Sequence, residues 1–408
     1  MMRGATWLFA LLVVAATSCA GGGHEIALGR PQTLRGLEGV PLSATAEVYR
    51  EAQGCTGKTV TTETLDAQGD RFVGTLHLRP GAYFFCVRFR SGDTELGLYQ
   101  DLALEVTLGA DDTLKLLDTH FHYRDLDDDQ DGIANLDEVR FNFDLNTPDT
   151  DSSTRVDLPA QPSFELGASD SAATVVEIPA HNIAIPAFAI DRLEVSVERY
   201  RLCVVRNQDP CAPPRGMDLF EFMNLNATAR QLPATGVALE DARRFCQDVA
   251  GGDLPLEQQW EYAARPDGTV YPWGDQPPDA GQARCDWINA RWPAGPSSYP
   301  CFGDSTPELV PVAHFDLTGD LRGCSRRPGS SAPDGPCQMA GNAWEWTRSD
   351  FVPYDGPAWP SPGALTVVRG GSADSLDHSL RSTFRVGVAP DLSGSEALAP
   401  LIGFRCVY

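Results

Sequence analysis

Three short blocks near the end of the chain decide its fold: Gly341-Asn342-Ala343-Trp344-Glu345-Trp346-Thr347, Val368-Arg369-Gly370-Gly371-Ser372 and Gly403-Phe404-Arg405-Cys406. Each sets aromatic or glycine residues beside a charge. Tryptophan rings packed between loops fill a core, each removing roughly 150–250 Å² from water. An arginine in such a core must meet a carboxylate or carbonyl oxygens, because an unpaired buried charge is costly. Arg369, Arg381, Arg385 and Arg405 are therefore expected to pair with Glu261, Glu345 and backbone carbonyls. Upstream, Leu254-Pro255 leads into Trp260-Glu261-Tyr262-Ala263-Ala264-Arg265, and Tyr271-Pro272-Trp273-Gly274-Asp275 follows. Residues 238–246 and 257–265 read as amphipathic helices. Beyond them Gly, Pro, Trp and short polar loops dominate, so an α+β domain with little regular structure is expected.

Taken in order, these blocks resemble the formylglycine-generating enzyme (sulfatase-modifying factor) family. The resemblance opens at Phe164-Glu165-Leu166-Gly167, runs through Ile178-Pro179-Ala180-His181-Asn182 and Phe188–Ser196 to Tyr200, and covers residues 163–408. It implies an irregular C-type-lectin-like fold. It also implies an oxidase that converts a sulfatase cysteine to formylglycine, using copper(I) held by two cysteines five positions apart. Soft thiolates select Cu(I). Counted from Gly370-Gly371-Ser372, the two ligand positions hold Ser375 and Leu380. A hydroxyl is a hard, poor ligand for Cu(I), and leucine is none. Ser372 is the family active-site residue that matches directly. Ala238 stands where the family usually has Trp, and Asp253 where Arg is common. Copper is not expected as a cofactor, and Ser372, Ser375 and Leu380 mark a non-catalytic site. The family's iron-dependent sulfoxide-synthase branch fares no better, since none of the seven histidines shows helical metal spacing. The resemblance further implies structural calcium near the Trp-Glu-Trp block, making Asn342 and Glu345 secondary calcium candidates.

Eleven cysteines invite arithmetic. With Cys19 set aside, ten remain, an even number that in an oxidising compartment argues for five disulfides and no free thiol. Spacing suggests Cys55–Cys86, Cys203–Cys211, Cys285–Cys301 and Cys324–Cys337. Cys246 and Cys406 are left, and the resemblance pairs those two places.

Towards the other end, Met1-Met2-Arg3, an apolar run over residues 5–16 and Ala16-Thr17-Ser18-Cys19 read as a lipoprotein signal peptide. Cys19 would carry the lipid, and Gly-rich residues 20–31 would form a tether. Alternating and β-branched runs separated by turns over residues 32–118 predict a small all-β sandwich of immunoglobulin-like type.

Residues 119–162 are read as an acidic calcium-binding segment and linker. Asp127, Asp129, Asp131, Ile133 (through its carbonyl), Asn135 and Glu138 fit positions 1, 3, 5, 7, 9 and 12 of a D-x-D-x-D-G calcium loop. Gly132 supplies the sharp turn. The segment resembles the thrombospondin type 3 calcium repeats of bacterial surface proteins more than a pair of helical EF-hands. A net charge of −24 argues against nucleic acid as a partner and favours cations.

The combined expectation is a calcium-binding surface lipoprotein, exported and lipid-anchored at a bacterial outer membrane on its periplasmic or surface side. Its C-terminal domain would recognise a peptide, protein or glycan in the family groove without turning it over. An active formylglycine-generating oxidase and a structural envelope protein are the alternatives.

Overall fold

The computed structural model describes residues 10–16, 24–34, 37, 40–69, 71–106, 112–116, 121–124, 126–275, 309–313, 324–330, 332, 334–355 and 365–408. They fall into two units, divided in sequence between Asp149 and Thr150.

In the first unit the strands are β1 (Ala10–Ala16), β2 (His24–Gly29), β3 (Ser43–Tyr49), β4 (Thr61–Gln68), β5 (Arg71–Leu76), β6 (Gly81–Ser91), β7 (Thr94–Val106), β8 (Asp112–Leu116) and β9 (Phe121–His122). They form one sheet in the order β8-β1-β2-β5-β4-β3-β6-β7-β9. Period-two patterning directs it: Ala44, Ala46 and Val48 of β3 all face inward and are buried. Strand β4 turns the sheet, since Thr61–Leu65 pair with β3 while Asp66–Gln68 pair with β5. The result is a curl. Phe72 on β5 meets Phe89 on β6 edge-on at 5.3 Å, although β4 and β3 lie between them in the sheet. The Cys55–Cys86 disulfide joins the loop before β4 to β6. After the acidic loop comes α1 (Asn135–Phe141), with Asp137 and Glu138 in its first turn and Arg140 in its last, the order that suits the helix dipole.

Two stretches at the beginning of the chain form strands. Residues 24–29, expected within a tether, form β2 against β5, because Ile26 and Leu28 alternate into the core and are fully buried. Residues 10–16, expected within a leader, form β1 between β2 and β8, with Val14 opposite Ile26. An apolar run rich in leucine and valine suits a strand as well as a leader. Cys19 lies outside the described residues.

The second unit starts with a further correction. Within the expected linker, Arg155–Leu158 form β10, with Val156 and Leu158 turned inward. The remaining strands are β11 (Gln161–Leu166), β12 (His181–Ile185), β13 (Phe188–Asp191), β14 (Trp344–Asp350), β15 (Thr366–Arg369), β16 (Arg385–Val388) and β17 (Ile402–Gly403). Strand β10 pairs with β13, β11 with β12, and β16-β15-β14-β17 make a four-stranded sheet whose β14–β17 pair is parallel. The helices are α2 (Val197–Val204), α3 (Leu219–Met223), α4 (Ala227–Arg230), α5 (Leu239–Arg244) and α6 (Glu257–Ala264). Side chains of Ser196, Asp218 and Asn226 cap α2, α3 and α4 by accepting from Arg199, Glu221 and Ala229 N–H groups. Helix α5 continues as a π-helical turn, Phe245–Val249.

Trp260 and Tyr262 of α6 pack with Phe164, Phe188, Ile190, Met339 and Val407 in the core of this unit. Residues 402–408 bind several separate segments. Cys406 is bonded to Cys246, Val407 exchanges backbone hydrogen bonds with Asp253, and Tyr408 does so with Ala189. Cys203–Cys211 and Cys324–Cys337 are also formed. The expected Cys285–Cys301 pair lies outside the described residues. Among the described residues, no helix is long and apolar enough to cross a membrane.

Candidate functional site

Arg405 locks the sequence blocks together. Its Nε donates to Glu345 Oε2 at 2.7 Å and its Nη2 to Glu345 Oε1 at 2.6 Å. The remaining N–H groups donate to the carbonyls of Asp191 (3.1 Å), Arg192 (3.2 Å) and Cys337 (2.9 Å). Five bonds match the five N–H donors of a guanidinium. Trp260 Nε1 donates to the same Glu345 carboxylate at 2.7 Å, tying α6 to β14. On β15, Arg369 donates to Glu257 at 2.9 Å and to Glu261 at 2.7 Å, and all three are buried. Arg385 and Arg381 take partners that the sequence did not indicate: Glu257 at 2.8 Å for the first, Glu177 at 2.9 Å and Asp170 at 2.6 Å for the second.

Asn342 and Glu345 both have partners within this frame. Asn342 donates to Glu194 at 2.8 Å and its Oδ1 accepts from Val310 N–H at 2.9 Å. Both oxygens of Glu345 accept from Arg405. The two secondary calcium candidates thus serve protein partners, and the Arg405 guanidinium supplies the positive charge next to Glu345. Burial, reinforced by Glu345, pushes the Glu194 carboxyl up to about 8.

The loop after β15 brings the three family positions together. Gly370 and Gly371 both have positive φ, 93° and 75°. A Cβ on Gly371 would lie 3.0 Å from Leu380 Cδ2, 3.0 Å from the Ser379 carbonyl and 3.2 Å from Ser375 Cβ, so only glycine fits between them. Ser375 Oγ accepts from Ser372 N–H at 2.8 Å and lies 3.2 Å from Ser372 Oγ. Leu380 is fully buried and packs with Tyr271 and Ala340, under a stacked Tyr271–Trp273 pair. Among the described residues neither hydroxyl bonds to a histidine or a carboxylate.

Residues 148–408 match the family model described as the sulfatase-modifying factor enzyme 1-like domain. The chain belongs to that family. Among its relatives, inactive C-alpha-formylglycine-generating enzyme 2 of Bos taurus is 33% identical over 185 residues, covering 43% of this chain and 50% of the relative. The formylglycine-generating enzyme of Streptomyces coelicolor is 32% identical over 186 residues, covering 43% and 52%. Protein YfmG of Bacillus subtilis, itself uncharacterized, is 28% identical over 250 residues, covering 56% and 48%. The chain spans about half the length of these curated relatives.

Within the sulfatase-modifying factor domain, the residues at the copper positions do not fit copper(I). Ser375 and Leu380, the positions given by the ungapped count, both close on Gly371, one with a hydroxyl and the other with a hydrocarbon. All eight described cysteines are in disulfides. The two other departures are also built in. Asp253 pairs with Arg243 at 3.0 Å, and Ala238 stands at the N-terminus of α5.

The acidic loop of the first unit brings Asp127, Asp129 and Asp131 together, with ligand oxygens within 4.8 Å of one another. A second triad of the same span comprises Asp131, Glu138 and Asp149. Backbone donors orient the loop carboxylates: Gln130 and Gly132 N–H bond Asp127, and Ile133 N–H bonds Asp131 at 2.7 Å. Asn135 is held at both ends of its amide by backbone partners. Its Oδ1 accepts from Asp128 N–H and its Nδ2 donates to the Glu95 carbonyl, pinning the loop to β7. Asp149 was not singled out from sequence, and only its position in Asp149-Thr150-Asp151 hinted at it. Its N–H donates to Asp131 Oδ2 at 2.9 Å.

Proposed function

We propose that this chain is a non-catalytic member of the sulfatase-modifying factor family, acting as a recognition or accessory module on a lipid-anchored envelope protein. The observation that carries the reading is the Ser372–Ser375 hydroxyl pair and Leu380 at the place where two thiolates would be needed. A loop-rich frame braced by buried ion pairs would present a recognition surface without copper chemistry. A peptide, protein or glycan is the class of ligand that such a surface suits. A relative at 33% identity named as inactive supports the same direction.

The test incubates the full-length protein with a sulfatase-type Cys-x-Pro-x-Arg peptide, copper and oxygen, and follows the peptide by intact mass. The expected result is an unchanged thiol. Formation of the aldehyde would overturn the reading. The lipid anchor rests on the apolar run before Ser18-Cys19. Cleavage before Cys19 would remove β1 from between β2 and β8. Cys19→Ser should release the protein from membranes, and unchanged membrane fractionation would sink the anchor.

A further inference from the structure

We propose that Asp127, Asp129, Asp131, Glu138 and Asp149 hold one calcium ion, with Asp149 supplying a ligand from outside the linear loop and Asn135 serving as a structural pin. The inference rests on the first unit alone and is independent of the reading of the sulfatase-modifying factor domain.

The observation that points to a ligand is Glu138. Its side chain is fully buried, and neither carboxylate oxygen has a hydrogen-bond partner. A buried carboxylate left in that state costs several kcal/mol in most proteins, so proteins pair it or give it a metal. Glu138 is aimed at the acidic loop, its oxygen grouped with those of Asp131 and Asp149. Asp129 Oδ2 is likewise buried and without a partner.

The spacing suits a single ion. Calcium binds oxygen at about 2.3–2.6 Å, so two oxygens on one ion can be at most about 5 Å apart. Both triads meet that limit at 4.8 Å, and they share Asp131. Five carboxylates also favour calcium over magnesium, which keeps most of its water and demands a stricter octahedron. Gly132, at φ 93°, lets the chain turn inside the cluster. Burial, together with Asp129, Asp131, Asp127 and Asp149, raises the ion-free Glu138 carboxyl to about 8.

The geometry has a consequence for the chain after α1. Asp144 N–H donates to Asp149 Oδ2 at 3.0 Å. An ion gripping Asp149 would thus hold residues 144–149 as a closed loop against the acidic cluster.

The test uses the full chain, stripped of metal and titrated with calcium by calorimetry. One site is expected, with weaker binding of magnesium. Glu138→Gln and Asp149→Asn should each weaken affinity about ten-fold or more, as losing a charged ligand does in such loops. Asp128→Asn, at an exposed position outside both triads, should leave it unchanged. Limited proteolysis should show residues 142–149 protected by calcium in the parent and exposed in Asp149→Asn. Absence of both heat and protection at millimolar calcium would overturn the site. Unchanged affinity and protection in Asp149→Asn would overturn the role given to Asp149.

Discussion

Replacing Arg405 by methionine tests the frame of the second unit most directly. The guanidinium is fully buried and makes five hydrogen bonds, two of them to Glu345. Methionine fills much of the volume but leaves Glu345 with only Trp260 Nε1, and leaves the carbonyls of Asp191, Arg192 and Cys337 without their donor. Removing one member of a buried pair costs about 3–5 kcal/mol, mostly from the stranded charge. For a unit of this size each kcal/mol moves the melting temperature by about 2–4 °C, so a fall of about 6–20 °C is expected. The Glu345→Gln/Arg405→Met double variant should recover a good part of that loss, since the amide oxygen can still accept from Trp260. Scanning calorimetry of the full chain, with tryptophan fluorescence to report the second unit, gives both numbers. A fall below about 2 °C in Arg405→Met, or a double variant no better than the single one, would refute the view that this charge pairing holds the blocks together.

Three further outcomes are expected. Thiol titration of the Cys19→Ser protein under denaturing, non-reducing conditions should find no free thiol, and two reactive thiols would contradict the pairing. Cys246→Ser/Cys406→Ser opens a loop spanning 160 residues, and chain-entropy arguments put the loss at about 5 kcal/mol, measurable by urea unfolding. Metal-free protein should lose stability as pH rises from about 5 to 8. Glu138 titrates at about 8 in the fold against 4.5 ordinarily, so its contribution is full below the lower value and gone above the higher. In Glu138→Gln that slope should flatten, and an unchanged slope would place the effect elsewhere.

The second unit was legible because its signals are local. Trp-Glu-Trp, Gly-Gly-Ser and the final Arg-Cys are short blocks whose chemistry needs few neighbours. Arg405–Glu345 and Arg369–Glu261 follow from the need to neutralise buried arginine. Glu177, as the partner of Arg381 across 204 residues, could not be inferred that way. Strands β1 and β2 were not legible for a different reason. The apolar run over residues 5–16 and the Gly-rich stretch after it carry the signals of a leader and a tether, and the pairing with β5 and β8 is a tertiary fact. In the acidic loop, the clustered carboxylates Asp127, Asp129 and Asp131 are those the spacing marks. The hydrogen bond from Asn135 to β7 and the return of Asp149 beside Asp131 are tertiary facts, invisible to a linear template.

The stitching of residues 402–408 bears on the order of events during synthesis. Cys406 leaves the ribosome 160 residues after Cys246, a delay of roughly ten to thirty seconds at ordinary elongation rates. Strand β14 has no β17 partner before then, and Ala189 and Asp253 lack their backbone mates. Helices α2 to α6 can form early from local contacts, but the unit cannot close around them until its final segment arrives. Through that interval Cys246 is an unprotected sulfur, exposed to the wrong partner among the six other cysteines of the same unit that emerge before Cys406, or to a neighbouring chain. Premature termination a few codons short would make that vulnerability permanent.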